Sequence, residues 1–432
     1  MIRRHRPEGR QTHPRNPHDA SAAVKALIAL LMLALPVTAQ TAADNFHPRR
    51  GINFDIWVDW LSTADMLATP GFLDQYPDWR RHVTDSAIAA LPGQGYDFAR
   101  LPMDPAPLLA LGPGARQDAL IDQIGQDAEL VLSHGLHVII DMHPFPRPGE
   151  AWGVDDILAD PAKFAAYATL IGRIARRLDG MDPQKTAFEP MNEPTSDCDA
   201  IRGDAAPTWP DQLAELHRRA RDNAPDLPLV LSGACWGGPE GLSKLDPAIL
   251  ADDNVIWSFH SYTPFLFTHQ GADWTGGLES VLHHLPYPPT LLSGVTARDL
   301  ARDTAIWAKA QRIQTDPPAI QSNLMQAFST YRDSATGHVA EAAELAATWA
   351  DANHIPHTRL LMGEFGANHG PDDTAEDKAG RTRFLRAKSL SAQALGIGWA
   401  VWSWSGGFGV SDSSPDRRPD RLVCAALGLP CR

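Results

Sequence analysis

Eight short runs rich in β-branched and aromatic residues, set apart by stretches of helical periodicity, limit the fold of this chain more than any other feature. The runs are Gly51–Phe54, Tyr96–Leu101, His137–Met142, Thr186–Met191, Leu229–Ser232, Asn254–Phe259, Arg359–Gly363 and Ile397–Trp402. Between them, Ala119–Ser133, Pro161–Leu178, Pro210–Asn223 and Ala340–Ala352 carry apolar residues near a 3.6-residue period. Strand and helix alternating eight times imply an α/β chain whose parallel sheet closes into a (β/α)8 TIM barrel. The strand runs are nearly continuous in hydrophobicity, as strands covered on both faces should be. One spacing is out of scale: about 100 residues separate Phe259 from Arg359, too many for one loop and helix. Residues 274–340 are therefore expected to form an insertion after strand six, on the side of the loops that follow the strands.

The N-terminus reads as a targeting segment. A basic stretch leads into the apolar run Ala26–Leu35, about the length of a signal core and too short to span a bilayer. Val37-Thr38-Ala39 supplies small residues for cleavage after Ala39. The expected layout is a signal peptide over 1–39, then one catalytic barrel domain over 40–432, exported to the periplasm or secreted. Without residues 1–39 the net charge falls from −14 to −18. Such a surface repels nucleic acid and anionic membrane and favours a neutral or cationic ligand. No partner beyond a substrate is implied, and a monomer is expected. Export permits disulfides, and the pairing expected of the four cysteines is Cys198–Cys235 with Cys424–Cys431.

In a barrel of this type, polar residues at the C-terminal strand ends carry function far more often than structure. Here those ends hold Arg100, His143, Asn192, Glu193, His260, Tyr262, Glu364 and Trp402. Two glutamates at neighbouring strand ends are the apparatus for breaking a glycosidic bond: one protonated, to donate to the leaving oxygen, and one ionised, to attack. Arg100 beside Glu364 would hold that carboxylate ionised, with Tyr262 adding a hydrogen bond. Closeness to Glu364 would raise Glu193 so that it starts protonated. Asn192 is placed for the sugar 2-hydroxyl, His143 and His260 for orienting carboxylates and hydroxyls, and Trp402 for a floor under the sugar. Glu189 competes for the carboxylate role, but it lies four residues before Glu193, inside the expected strand. Of the other tryptophans, Trp257 and Trp349 read as core, while Trp57, Trp152, Trp236 and Trp274 follow strands and are candidates for a cleft. His143 is also a candidate core residue or metal ligand, but no His-x-His or clustered carboxylate spacing accompanies it. No metal and no cofactor are expected.

From about Arg50 onward the chain resembles glycoside hydrolase family 5, the cellulase and mannanase family. The matching segments are Arg50-Gly51-Ile52-Asn53, Ala99-Arg100-Leu101-Pro102, Asp141-Met142-His143, Met191-Asn192-Glu193-Pro194, Phe259-His260-Ser261-Tyr262, Gly363-Glu364-Phe365-Gly366 and Val401-Trp402-Ser403-Trp404. The resemblance implies that Glu193, ending strand four, is the acid/base and Glu364, ending strand seven, the nucleophile of a retaining endo-β-1,4-glucanase. Residues Thr263–Trp274 resemble a loop of a bacterial endoglucanase subgroup. Where many members carry a second histidine or a tyrosine after the third-strand histidine, this chain has Pro144-Phe145-Pro146-Arg147-Pro148. Mannan, xyloglucan or a bacterial exopolysaccharide are alternative polymers. A metal-dependent barrel hydrolase and a non-catalytic carbohydrate-binding barrel are the alternatives of other classes.

Overall fold

A computed structural model describes residues 40–54, 83–146, 151–202, 208–313, 316–333, 338–411 and 419–430. The signal segment, Trp57, Arg147, Pro148 and Cys431 lie outside these residues. Eight strands run β1 (Arg50–Asn53), β2 (Phe98–Met103), β3 (His137–Met142), β4 (Thr186–Glu189), β5 (Leu229–Ser232), β6 (Val255–His260), β7 (Leu360–Phe365) and β8 (Gly398–Val401). Each is parallel to its neighbours, and β1 pairs with β8 to close the barrel.

Side-chain alternation along the strands divides the interior into layers. The lower layer is apolar: Phe98, Ile139, Ala187, Val230, Ile256, Leu361 and Ala400 cluster there, plugged by Ala43 and Phe46 from the segment before β1. Gly51 is the β1 member of this layer. A Cβ on it would fall 2.1 Å from the Phe98 ring, so glycine here makes room for the phenylalanine that fills the centre. Two residues further along the strands the same face becomes polar, with Asn53, Arg100, Asp141, Glu189, Ser232 and Ser258, all buried. The site is built on this second layer.

The surrounding helices fix the strand ends from outside. Pro161–Leu178 starts at Asp160, whose side chain accepts from the Ala162 and Lys163 N–H groups, with proline in the first turn where its missing N–H costs nothing. Its inner face buries Tyr167, Leu170, Ile171, Ile174 and Leu178. The Tyr167 hydroxyl donates to the Pro190 carbonyl at 2.6 Å, holding the turn that leads to Glu193. Strand four ends at Glu189, two residues short of the expected Met191, because Pro190 has no N–H to continue the ladder. Trp257 and Trp349 pack edge to face in the core, ring centroids 5.3 Å apart.

Between β6 and β7 the described residues form four short 3-10 turns and the helices Phe265–Thr268, Gly294–Ala310, Pro317–Asp333 and His338–Ala352. Cys198 and Cys235 form a disulfide between the loops after β4 and β5. Cys424 is disulfide-bonded as well, and its expected partner Cys431 is outside the described residues. No helix among those residues is long and apolar enough to cross a membrane.

Candidate active site

Arg100 is the hub. It is fully buried, and its guanidinium hydrogen-bonds four side chains and pairs with a fifth. Nε donates to Glu189 at 2.7 Å, and one terminal nitrogen to Asn53 at 3.0 Å and Glu364 at 2.8 Å. The other terminal nitrogen reaches Asn192 at 2.7 Å and Asp141 at 2.9 Å. Burial alone would pull this guanidinium down, but the charges of Asp141, Glu189 and Glu364 outweigh it and push it further up. Arg100 is a permanent cation.

Glu364 receives donors on both oxygens: Arg100 on one and the Tyr262 hydroxyl, at 2.9 Å, on the other. Burial and the neighbouring Glu364 charge hold the Tyr262 phenol well above its ordinary range, so it stays a donor. Two glycines frame this glutamate. A Cβ on Gly363 would lie 2.6 Å from Ser258 Oγ and 3.0 Å from His260 Nε2, and one on Gly366 would lie 2.1 Å from the Trp402 carbonyl. Only glycines let β7 press against β6 and β8 at this height. The register of both pairings shifts here, which turns Glu364 into the barrel mouth.

Glu193 sits across from Glu364 in a left-handed backbone conformation, φ 38°. Its side chain keeps 23% exposure and accepts from or donates to His260 Nδ1 at 2.6 Å. One oxygen of each glutamate and a ring nitrogen of His260 lie within 4.8 Å of one another. Burial pushes the Glu193 carboxyl up to about 7, against the pull of His143 and Arg100. Desolvation, rather than the Glu364 charge, is thus the cause of its elevation. Burial likewise holds His143 and His260 neutral, each lowered to about 4.

His143 stands between Asp141, 2.8 Å from Nδ1, and the Asn192 side-chain amide, 3.2 Å from Nε2. With Asp141 taking the Nδ1 proton, Nε2 accepts from Asn192. Arg100 holds the amide oxygen, so the Asn192 side chain is fixed at both ends. Trp402 stacks on the His143 ring at 5.5 Å and 21°. Arg100, His143, Asn192, Glu193, His260, Tyr262, Glu364 and Trp402 thereby join one connected network.

Sequence reasoning gave no role to two members of this network, Asn53 and Asp141, and set a third, Glu189, aside. Both carboxyls are raised by burial, Asp141 to about 7, and both are tied to Arg100. Glu189 is the last residue of β4 rather than an interior one, and it faces down into the polar layer. Their signal was the two-residue period: Asp141 lies two before His143, and Glu189 two after the core residue Ala187. Of the expected cleft tryptophans, Trp152 packs partly buried against the core. Trp236 is 47% exposed, and its backbone N–H donates to Pro194 O beside Glu193. Trp274 is 63% exposed.

Among the described residues, Glu193, His260 and Glu364 form the one cluster of side chains close enough to share a metal ion. A dication there would have to displace the donors that Arg100 and Tyr262 already place on Glu364. A carboxylate already held by a guanidinium and a phenol, beside a carboxyl raised by burial and a neutral imidazole, suits nucleophilic attack and proton transfer instead.

A family model described as Cellulase (glycosyl hydrolase family 5) matches residues 62–407. Endoglucanase 3 of Fibrobacter succinogenes is 24% identical over 375 residues, covering 84% of this chain and 50% of that protein. Cellodextrinase A of Ruminococcus flavefaciens is 28% identical over 228 residues, 52% of this chain and 62% of that protein. The chain thus spans roughly half to two thirds of the length of the curated relatives it matches. Cel5A of Thermotoga maritima, solved with cellobiose, superposes with a TM-score of 0.61 at 20% identity, covering 89% of this chain and 99% of that one. The same protein was also solved with mannotriose.

Proposed function

The chain belongs to glycosyl hydrolase family 5, the cellulases, and from that membership and its paired glutamates we propose that it is a retaining β-glycanase cleaving β-1,4-linked glucan. The observation that carries the reading is the approach of Glu193 and Glu364 to within 4.8 Å in opposite environments. Glu364 is held by a cation and a phenol, whereas burial holds Glu193 protonated near neutrality. Retaining enzymes hold their carboxyl groups about 5–5.5 Å apart and inverting ones about 6.5–9.5 Å. The close approach here supports the retaining arrangement over the inverting one.

In the first step a Glu364 oxygen attacks the anomeric carbon as the glycosidic C–O bond breaks. The Glu193 proton passes to the leaving oxygen, giving a glycosyl ester on Glu364. Glu193 then takes a proton from water as that water attacks the anomeric carbon and frees Glu364. The fixed Asn192 amide meets the sugar 2-hydroxyl, whose hydrogen bond strengthens as the oxocarbenium ion develops. Trp402 offers an indole face beneath the ring. His260, neutral and bonded to Glu193, keeps that carboxyl aimed at the leaving oxygen.

We propose too that residues 1–39 direct export and are removed, leaving one catalytic barrel over 40–432 with 274–340 inserted after β6. The Cys198–Cys235 disulfide suits an oxidising compartment. A monomer acting on polysaccharide or oligosaccharide is the expected form. β-Mannan is the second reading of the polymer, prompted by the mannotriose complex of the Thermotoga maritima protein. The test is to incubate the purified protein with β-glucans, mannans and xyloglucan, sizing the products and following their anomeric configuration by NMR. Shortened β-glucan with retained configuration is expected. Inverted products, or activity abolished by EDTA and restored by metal, would overturn the mechanism.

A further inference from the structure

Ser261 stands between the two residues that reach the glutamates from β6. On one side His260 Nδ1 lies 2.6 Å from Glu193, and on the other the Tyr262 hydroxyl donates to Glu364 at 2.9 Å. The Ser261 N–H donates to the Glu364 carbonyl at 2.9 Å. Alternation along an extended chain turns its side chain to the face opposite those two, away from the barrel mouth. There its Oγ accepts from Lys388 Nζ at 2.6 Å, across a sequence separation of 127. Lys388 lies on the helix Ala375–Ala394, which follows β7, and it is fully buried. Resting on the glycanase reading above, we propose that Lys388 is a positioning residue for the reaction, fixing through Ser261 the His260–Tyr262 segment that serves both glutamates.

Three observations support this assignment. The first is the cost of the burial. A lysine normally lays its stem along apolar surface and keeps its charged end in water. A methionine would fill the same space with no amine to desolvate. Burial lowers the Lys388 amine to about 7, against the upward pull of Glu240 on Pro239–Ser243 and Glu341 on His338–Ala352. The Phe384 ring, one turn earlier on the same helix, lies 5.7 Å from Nζ and adds a cation–π contact. The second is where the serine is anchored. Its backbone bonds β7 and its side chain bonds the helix that follows β7, so the segment is set against the strand that carries Glu364. The third is the order of the ties along the segment. The His260 N–H donates to Gly237 O at 2.8 Å, and the Tyr262 carbonyl accepts from Thr268 Oγ1 at 2.7 Å. Those bonds hold its two ends, and the amine holds its middle. A shift of Ser261 would carry the rings on both sides of it away from Glu193 and Glu364 together.

The test is Lys388→Met, which keeps the length and bulk of the stem and removes the amine. On an aryl β-cellobioside kcat is expected to fall about 10- to 100-fold. KM should stay within about twofold of wild type, because the displaced groups act on the glutamates in the transition state rather than on bound sugar. Ser261→Ala should give the same loss, and the double variant no further one, since the two residues form a single link. Melting curves confirm that the variants are folded. A folded Lys388→Met with wild-type kcat, whatever its melting temperature, marks a lysine that only supports the fold and overturns the proposal. Losses that multiply in the double variant overturn it too, because Lys388 would then act by a route other than Ser261. Either result leaves the glycanase reading intact. A wild-type protein that hydrolyses no β-glycan overturns that reading, and the inference falls with it.

Discussion

Arg100→Lys keeps the charge at the centre of the site and removes its geometry. The guanidinium hydrogen-bonds Glu189, Glu364, Asn192 and Asn53 and pairs with Asp141. An ammonium has three donors, so at least two of these five buried groups lose their partner. Hydrogen bonds to charged groups are worth about 1.5–3 kcal/mol each, which puts the loss near 3–6 kcal/mol against a typical total stability of about 5–15 kcal/mol. The deficit also depends on pH. Asp141 already stands at about 7 in the folded protein through burial, and a weaker cation lifts it further. A carboxyl raised on folding binds more protons folded than unfolded, so its contribution to stability falls as pH rises through the folded value. The deficit of Arg100→Lys should therefore be larger at about pH 8 than at about pH 5. Urea midpoints for wild type and variant at the two pH values measure it. A variant within about 0.5 kcal/mol of wild type at both, or an equal deficit at both, would refute the reasoning.

Glu193→Gln should abolish turnover, and wild-type kcat/KM should decline as pH rises through about 7, where Glu193 loses its proton. Because the folded value is raised, the ionised form destabilises the fold. Glu193→Gln should thus melt higher than wild type above neutrality and equal to it at low pH, a difference that thermal scans across pH will read. Gly363→Ala drives a methyl to 2.6 Å from Ser258 Oγ and 3.0 Å from His260 Nε2. Displacing β7 there should lower kcat about 10²-fold, measured on an aryl cellobioside. Cys198→Ser opens a link with a sequence separation of 37 and should cost about 4 kcal/mol by loop closure, seen as a lower urea midpoint.

The barrel was legible because parallel strands buried on both faces are continuous apolar runs, and each of the eight expected runs overlaps an observed strand. The boundary of β4 was not, since the hydrophobic pattern passes over Pro190 and only the missing N–H ends the ladder. The glutamates and their flanking glycines stood out as short motifs at strand ends. Asp141 and Glu189 did not, because their importance depends on Arg100 reaching them from β2. Sequence spacing within β3 or β4 carries no information about that contact. The cause of the Glu193 elevation was misjudged for a similar reason: proximity of charges could be inferred from the fold, whereas desolvation depends on how the loops close over the carboxyl.

The account stands or falls on the separate roles of the two glutamates. Glu193→Ala and Glu364→Ala, each given azide and an activated aryl β-cellobioside, put those roles to the test. Azide should rescue both by replacing the lost carboxylate. With Glu193 gone it attacks the Glu364 ester and yields the β-glycosyl azide. With Glu364 gone it attacks the substrate directly and yields the α-glycosyl azide. The anomeric configuration read by NMR decides the matter, and the opposite pair of products would contradict the assignment of Glu364 as nucleophile and Glu193 as acid/base.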